Sequence, residues 1–103
     1  MAQKDSVFGM ASTSFPVYEN GLDPSGTFYI CEGGLVIKTP DKLIRSPFKY
    51  VRKLERFGEL PLGKINVIMK FFDQLGNEYD MVVGMSDMHY AALLKVCPDA
   101  KTK

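Results

Sequence analysis

Apolar and polar positions alternate most clearly between Ile65 and Met85. Ile65, Val67, Met69 and Phe71 fall on one parity, and Asn66, Ile68, Lys70 and Phe72 on the other. A period of two is the signature of a strand with one face toward the core. Asp73-Gln74-Leu75-Gly76-Asn77 then reads as a hairpin loop, with Gly76 as its left-handed residue. In the returning strand Tyr79, Met81, Val83 and Met85 alternate against Asp80, Val82 and Gly84. Ser86 is a good N-cap, and Asp87 sets negative charge at the positive end of the helix that follows. Tyr90, Leu93, Leu94 and Cys97 recur at helical spacing and form one apolar stripe, which Pro98 ends. This half of the chain predicts a β-hairpin capped by a terminal helix.

Upstream, the aromatic and β-branched run Thr27-Phe28-Tyr29-Ile30-Cys31 predicts a strand. Glu32-Gly33-Gly34 predicts a tight turn with glycine supplying positive φ, and Leu35–Lys38 the return strand. After a turn at Thr39–Lys42, Leu43–Arg45 reads as a short third strand. Ser46–Phe57 carries two signals. Ser46-Pro47 suits a helix start, and Phe48, Val51 and Leu54 have helical spacing, yet Val51–Phe57 also alternates. We read a helical turn at Ser46–Tyr50 running into a strand at Val51–Phe57, with a full helix as the alternative. Glu59–Lys64, with Pro61 and Gly63, reads as a loop. Residues 1–25 show little pattern beyond Phe15–Tyr18, where Pro16 confines any strand to an edge. Glu19–Gly26 is dense in turn formers.

A chain of 103 residues with 46% hydrophobic content is long enough for one core and reads as one domain. The expected division is a partly irregular segment 1–25, a domain 26–98 and a tail 99–103. The fold class expected is α+β, mainly antiparallel β. Cys31 and Cys97 lie far apart and outside any CxxC, so two reduced, buried thiols are expected, with no metal and no cofactor. The N-terminus has no continuous apolar core behind its lysine, and no run approaches the ~20 residues of a membrane span. A cytoplasmic location is the expectation.

Three stretches carry a family resemblance: Gly26–Ile37, Ile44–Val51, and Asp73–Tyr79 with the helix after it. Together they resemble the pleckstrin-homology-like superfamily, in particular its short GRAM-like and bacterial or archaeal members. The resemblance implies a two-sheet, partly open barrel closed by a C-terminal capping helix. The alternative architecture is a layered ββαββα domain. The resemblance also implies a non-enzymatic interaction module that binds peptides, partner proteins or phosphoinositides, with a signalling adaptor among the roles of such folds.

Candidate sites come from charge and periodicity. Lys42, Arg45, Lys49, Arg52, Lys53 and Arg56 face a single acid, Glu55, which leaves +5 in a chain whose net charge is +1. Such a cluster, with Phe48, Tyr50 and Phe57 interleaved, could attract an anionic lipid headgroup or nucleic acid. A solvated face explains it as well. Ile68, Phe72 and Val82 fall on the solvent parity of the hairpin, where polar residues are expected, and apolar clusters there mark interfaces. They predict a protein partner and at least a homodimer through this face. Cover by a neighbouring segment is the competing explanation. His89 has no nucleophile or carboxylate at motif spacing, so a surface position is expected and no catalytic role. Met10, Met69, Met81, Met85 and Met88 could suggest a plastic groove, but four of them fall on strand or helix positions expected in the core, so packing explains them first.

Overall fold

The computed structural model describes residues 4–19 and 23–102. Eight strands and one helix follow in order: β1 (Lys4–Asp5), β2 (Gly9–Glu19), β3 (Asp23–Cys31), β4 (Leu35–Lys38), β5 (Leu43–Ser46), β6 (Val51–Leu60), β7 (Lys64–Phe72), β8 (Glu78–Ser86) and α1 (Asp87–Val96). The strands run β5-β4-β3-β2-β8-β7-β6 across one antiparallel sheet, with β1 beside β2. β5 and β6 are the two ends of that order, although only the turn at Phe48–Tyr50 separates them in the chain. The fold is therefore α+β with an open sheet and one C-terminal helix among the described residues. No helix among the described residues is long and apolar enough to cross a membrane.

One core joins the whole sheet. Phe15 and Val17 of β2, Phe28 and Ile30 of β3, Ile37 of β4, Leu54 of β6, Phe71 of β7 and Met85 of β8 belong to a single buried cluster. Strands at opposite ends of the sheet thus share one interior, so the sheet has to wrap around it. The expected inward set Ile65, Val67, Met69 and Phe71 is buried throughout. α1 closes this interior with Tyr90 and Leu93, joined by Cys97 at its C-cap. The Ser86 cap is as expected: its Oγ accepts from the His89 N–H at 3.2 Å.

Ser46–Phe57 resolves as a 3-10 turn at Phe48–Tyr50 followed by β6, which overturns the full helix and with it the ββαββα alternative. Three expectations need correction. Residues 1–25 are less irregular than expected: β2 alone is an eleven-residue strand, and β3 begins at Asp23. Part of the turn expected over Glu19–Gly26 lies outside the described residues. The sequence hides β2 because its outward positions, Ser12, Ser14 and Pro16, are small or turn-forming residues. Pro16 is tolerated because β2 meets β8 at the single register pair Tyr18↔Gly84, which leaves one side of the strand open around it. Gly33 and Gly34, secondly, are not the positive-φ residues of a turn; among the described glycines Gly9, Gly58, Gly63 and Gly76 are. Glycine is required at 34 for closeness instead. A Cβ there would lie 2.6 Å from the Phe8 ring and 2.8 Å from the Ser46 carbonyl oxygen. Finally, the residues after Pro98 are not a bare tail. Lys101 bridges in parallel to Lys53 of β6.

That bridge is part of how the unpaired end of the sheet is satisfied. The Leu54 N–H donates to the Lys101 carbonyl at 2.7 Å, and the Lys101 N–H to the Arg52 carbonyl at 2.9 Å. The Tyr90 hydroxyl donates to the Leu54 carbonyl at 2.8 Å in a buried setting. On the β5 side, the fully buried Ser46 hydroxyl donates to the Phe72 carbonyl at 2.7 Å. Tyr90→Phe keeps the ring and orphans the Leu54 carbonyl. It should lower stability by about 1–2 kcal/mol, read as a lower urea midpoint with an unchanged m-value.

Candidate functional site

With one parity of β7 and β8 spent on the core, the other parity presents an outer face. The register fixes its rows: Asn66↔Gly84, Ile68↔Val82, Lys70↔Asp80 and Phe72↔Glu78. Glu55 of β6 lies beside Ile68. Ile68 and Val82 are thus direct cross-strand neighbours at the centre of the face. Val82 is 54% exposed, whereas Ile68 and Phe72 are half-buried. Phe72 shares the face but lies two rows away, beyond the charged row Lys70/Asp80.

The face continues past Gly84 in a way the sequence did not signal. A Cβ at Gly84 would sit 2.8 Å from Leu60 Cδ1 and 3.5 Å from Tyr18 Cβ. Leu60 and Tyr18 therefore fold over the bare glycine and extend the apolar strip. Lys64 completes this end, with its ammonium 4.5 Å from the centroid of the Tyr18 ring. Leu60 lies in a stretch that reads as a loop, and Tyr18 in a short strand-like run that gives no sign of its meeting β8.

The basic cluster does not act as one charge. Arg45 on β5 is held by Asp5, Nε to Oδ2 at 3.0 Å. Lys53 pairs with Glu55 at 2.9 Å, and Arg56 with Asp87, at the start of α1, at 2.6 Å. The Lys42 ammonium lies 5.9 Å from the Tyr79 ring centroid. Lys49 and Arg52 are exposed, and neither joins an ion pair among the described residues. Of the interleaved aromatics, Phe48 packs against the core, while Tyr50 and Phe57 are partly exposed. Acids distant in sequence thus neutralise part of the run: Asp5 precedes Arg45 by 40 residues, and Asp87 follows Arg56 by 31.

Asp5 also organises the N-terminus. Its Oδ2 accepts from the Val7 N–H at 2.9 Å and the Phe8 N–H at 2.8 Å. Phe8 is thereby delivered into a small second core with Cys31 and Val36. The Arg45 guanidinium, together with these two N–H groups, holds the Asp5 carboxyl below the usual carboxylate range against the opposing pull of burial. On the β7–β8 loop, Asp73 accepts from the N–H groups of Leu75 and Asn77 and from the Tyr79 hydroxyl. Partial desolvation works against ionisation of Asp73, yet these bonds keep its carboxyl low, and the same carboxylate pushes the Tyr79 phenol up.

His89 is half-buried rather than on the surface: its ring stacks on Phe15 with centroids 4.3 Å apart, and this burial lowers its pKa. Both cysteines are buried and free, and burial pushes the Cys97 thiol up to about 12. Met69 and Met85 are buried and Met81 half-buried, while Met10 and Met88 are exposed, so Met88 on the helix is not the packing residue expected. Comparison with protein-family models, with curated proteins and with solved structures finds no match.

The Asp5–Arg45 pair gives a pH signature. A carboxyl whose pKa is lowered by folding stabilises the protein above its unfolded pKa of about 3.9, and that contribution is lost as pH falls through the lower folded value. Asp5→Asn should therefore cost about 1–2 kcal/mol at pH 7. The difference from wild type should shrink steadily once the pH drops below 4. Urea unfolding of both proteins across that range measures it.

Proposed function

We propose that the chain is a non-enzymatic, protein-binding module of pleckstrin-homology-like architecture, whose working surface is the outer face of β6, β7 and β8. The observation that carries this is the Ile68–Val82 pair: two β-sheet neighbours, apolar, at the centre of a solvent-facing surface. No element of the described fold lies over Val82, which is 54% exposed. Burying such side chains gains roughly 1.5–3 kcal/mol each relative to leaving them in water. The strand order supports the architecture. Leaving β1 aside, four strands lead into three through the β2–β8 contact, and the last strand runs directly into the helix that plugs the core. That is the arrangement a partly open, helix-capped barrel of this superfamily requires. A role as an adaptor follows from a surface that binds and a fold that positions it rigidly.

The competing reading, an anionic lipid headgroup or nucleic acid on the 42–56 cluster, has less support, because Arg45, Lys53 and Arg56 already face carboxylates. A polyanion site with several phosphate contacts loses affinity steeply with salt. We expect weak heparin retention, unchanged by Lys49→Ala with Arg52→Ala. Strong retention that those substitutions abolish would favour the anion reading instead.

The docking face itself is tested in cells that make the protein. A photo-crosslinking phenylalanine analogue at position 82 should give a discrete protein adduct, and Ile68→Glu in the same chain should remove it. The analogue at Met88, which is 73% exposed on α1, is the control. The same smear of products from both positions, or none from position 82, would count against this face.

A further inference from the structure

We infer that the occupant of this face is a second copy of the chain, packed face to face about a two-fold axis that runs between β7 and β8, parallel to both. The inference rests on the proposed reading of the face as a docking surface, and adds the partner and the geometry.

Register and charge select this axis. On the outer face, β7 carries Asn66, Ile68, Lys70 and Phe72, and β8 carries Gly84, Val82, Asp80 and Glu78 in the matching rows. A two-fold axis parallel to the strands and midway between them exchanges the two columns. Each residue of β7 then faces its own cross-strand neighbour in the other copy. Ile68 meets Val82, Lys70 meets Asp80, Phe72 meets Glu78, and Asn66 meets the row where Leu60 and Tyr18 lie over Gly84. One operation buries both apolar pairs and sets each Lys70 on an Asp80, as a self-complementary interface must, and leaves Glu78 at the end of the face beside Phe72.

The other simple choice fails. A two-fold axis across the strands through the Ile68–Val82 row would set each Ile68 on its own copy. It would also lay Lys70 over Asn66 and Asp80 over Gly84, which leaves four charges without partners in the contact. Lys70 and Asp80 are exposed, and neither takes part in the three ion pairs formed among the described residues. Both are thus available to a facing copy. The facing columns are those of β7 and β8 alone, a narrow contact, so weak association in the micromolar range is expected.

Complementary charge reversal tests the geometry. In a homodimer of Lys70→Asp chains, the introduced carboxylate would face Asp80 of the other copy. In a homodimer of Asp80→Lys chains, the introduced ammonium would face Lys70. Each variant alone should dimerise at least about tenfold more weakly than wild type, as like charges brought together at an interface do. An equimolar mixture should recover dimer to near the wild-type level, because every facing pair is then opposite in sign. Adding Val82→Glu to both chains should abolish that recovery. Circular dichroism and melting of each variant as a monomer establish that it is folded, and sedimentation equilibrium reads the mass.

A wild type that stays monomeric up to about 100 µM, the range in which small interfaces associate, overturns the inference. The docking face itself would survive that result if position 82 still crosslinks to a different protein. A wild-type dimer that ignores either reversal, or a mixture that shows no recovery, overturns it as well, since the contact would then lie elsewhere.

Discussion

The seam between β5 and β6 is the constraint on which the rest of this structure depends. An open sheet that wraps around one core has two unpaired edges, and here they belong to strands consecutive in the chain. Buried backbone groups without partners cost free energy comparable to a lost hydrogen bond. The chain meets that cost with pieces from outside the sheet. Tyr90 of α1 takes the Leu54 carbonyl, the backbone of Lys101 takes the Leu54 N–H and the Arg52 carbonyl, and Ser46 reaches the Phe72 carbonyl from the other side. The terminal helix is therefore more than an apolar plug. It brings a hydroxyl to one carbonyl of β6, and the residues after it act as a short added strand.

The same constraint explains which parts of the fold could be read from residue order. The β7–β8 hairpin and α1 are local: period two, a glycine at φ 88° in the loop, a serine cap and a helical stripe each act within a dozen residues. The features that were misread depend on partners far along the chain. Gly34 resembles a turn residue in sequence, yet its lack of a side chain serves Phe8, which arrives from 26 positions upstream. β2 is written in serine, threonine and proline, and it becomes a strand because β3 pairs along most of its length.

The candidate site divides along the same line. The apolar pair Ile68 and Val82 was visible because strand parity is a local property and hairpin register follows from it. The basic cluster was visible too, but its meaning was not. A run of six cations is a fact of sequence, whereas the acids that neutralise Arg45 and Arg56 come from Asp5 and Asp87, brought in by tertiary structure. The exposed Arg56–Asp87 pair contributes about 0–1 kcal/mol and is minor for stability, whereas the Asp5–Arg45 pair is mostly buried. For function they matter more. A cation already facing a carboxylate would have to break that pair to bind a phosphate, which lowers the affinity of the whole patch.

What remains on the surface after these pairings is a division of labour between the two halves of the sheet. The β2–β5 half turns its outer side toward the N-terminal hairpin, where Phe8 packs on Cys31 and Val36, and the Asp5–Arg45 pair fastens β1 to β5. The β6–β8 half has no such cover over its centre. If the N-terminal segment had served as a general lid for apolar outer positions, Val82 would be buried as Val36 is, at 3% exposure rather than 54%. Among the described residues the N-terminal segment thus covers the half with Cys31 and the aromatic Tyr29, and the other is left open. An open apolar centre ringed by Lys70, Asp80, Glu78, Glu55 and Lys64, charges of both signs in nearly equal number, is poorly matched to a polyanion. It suits a partner with the same mixture, and a second copy of the same face has it by construction.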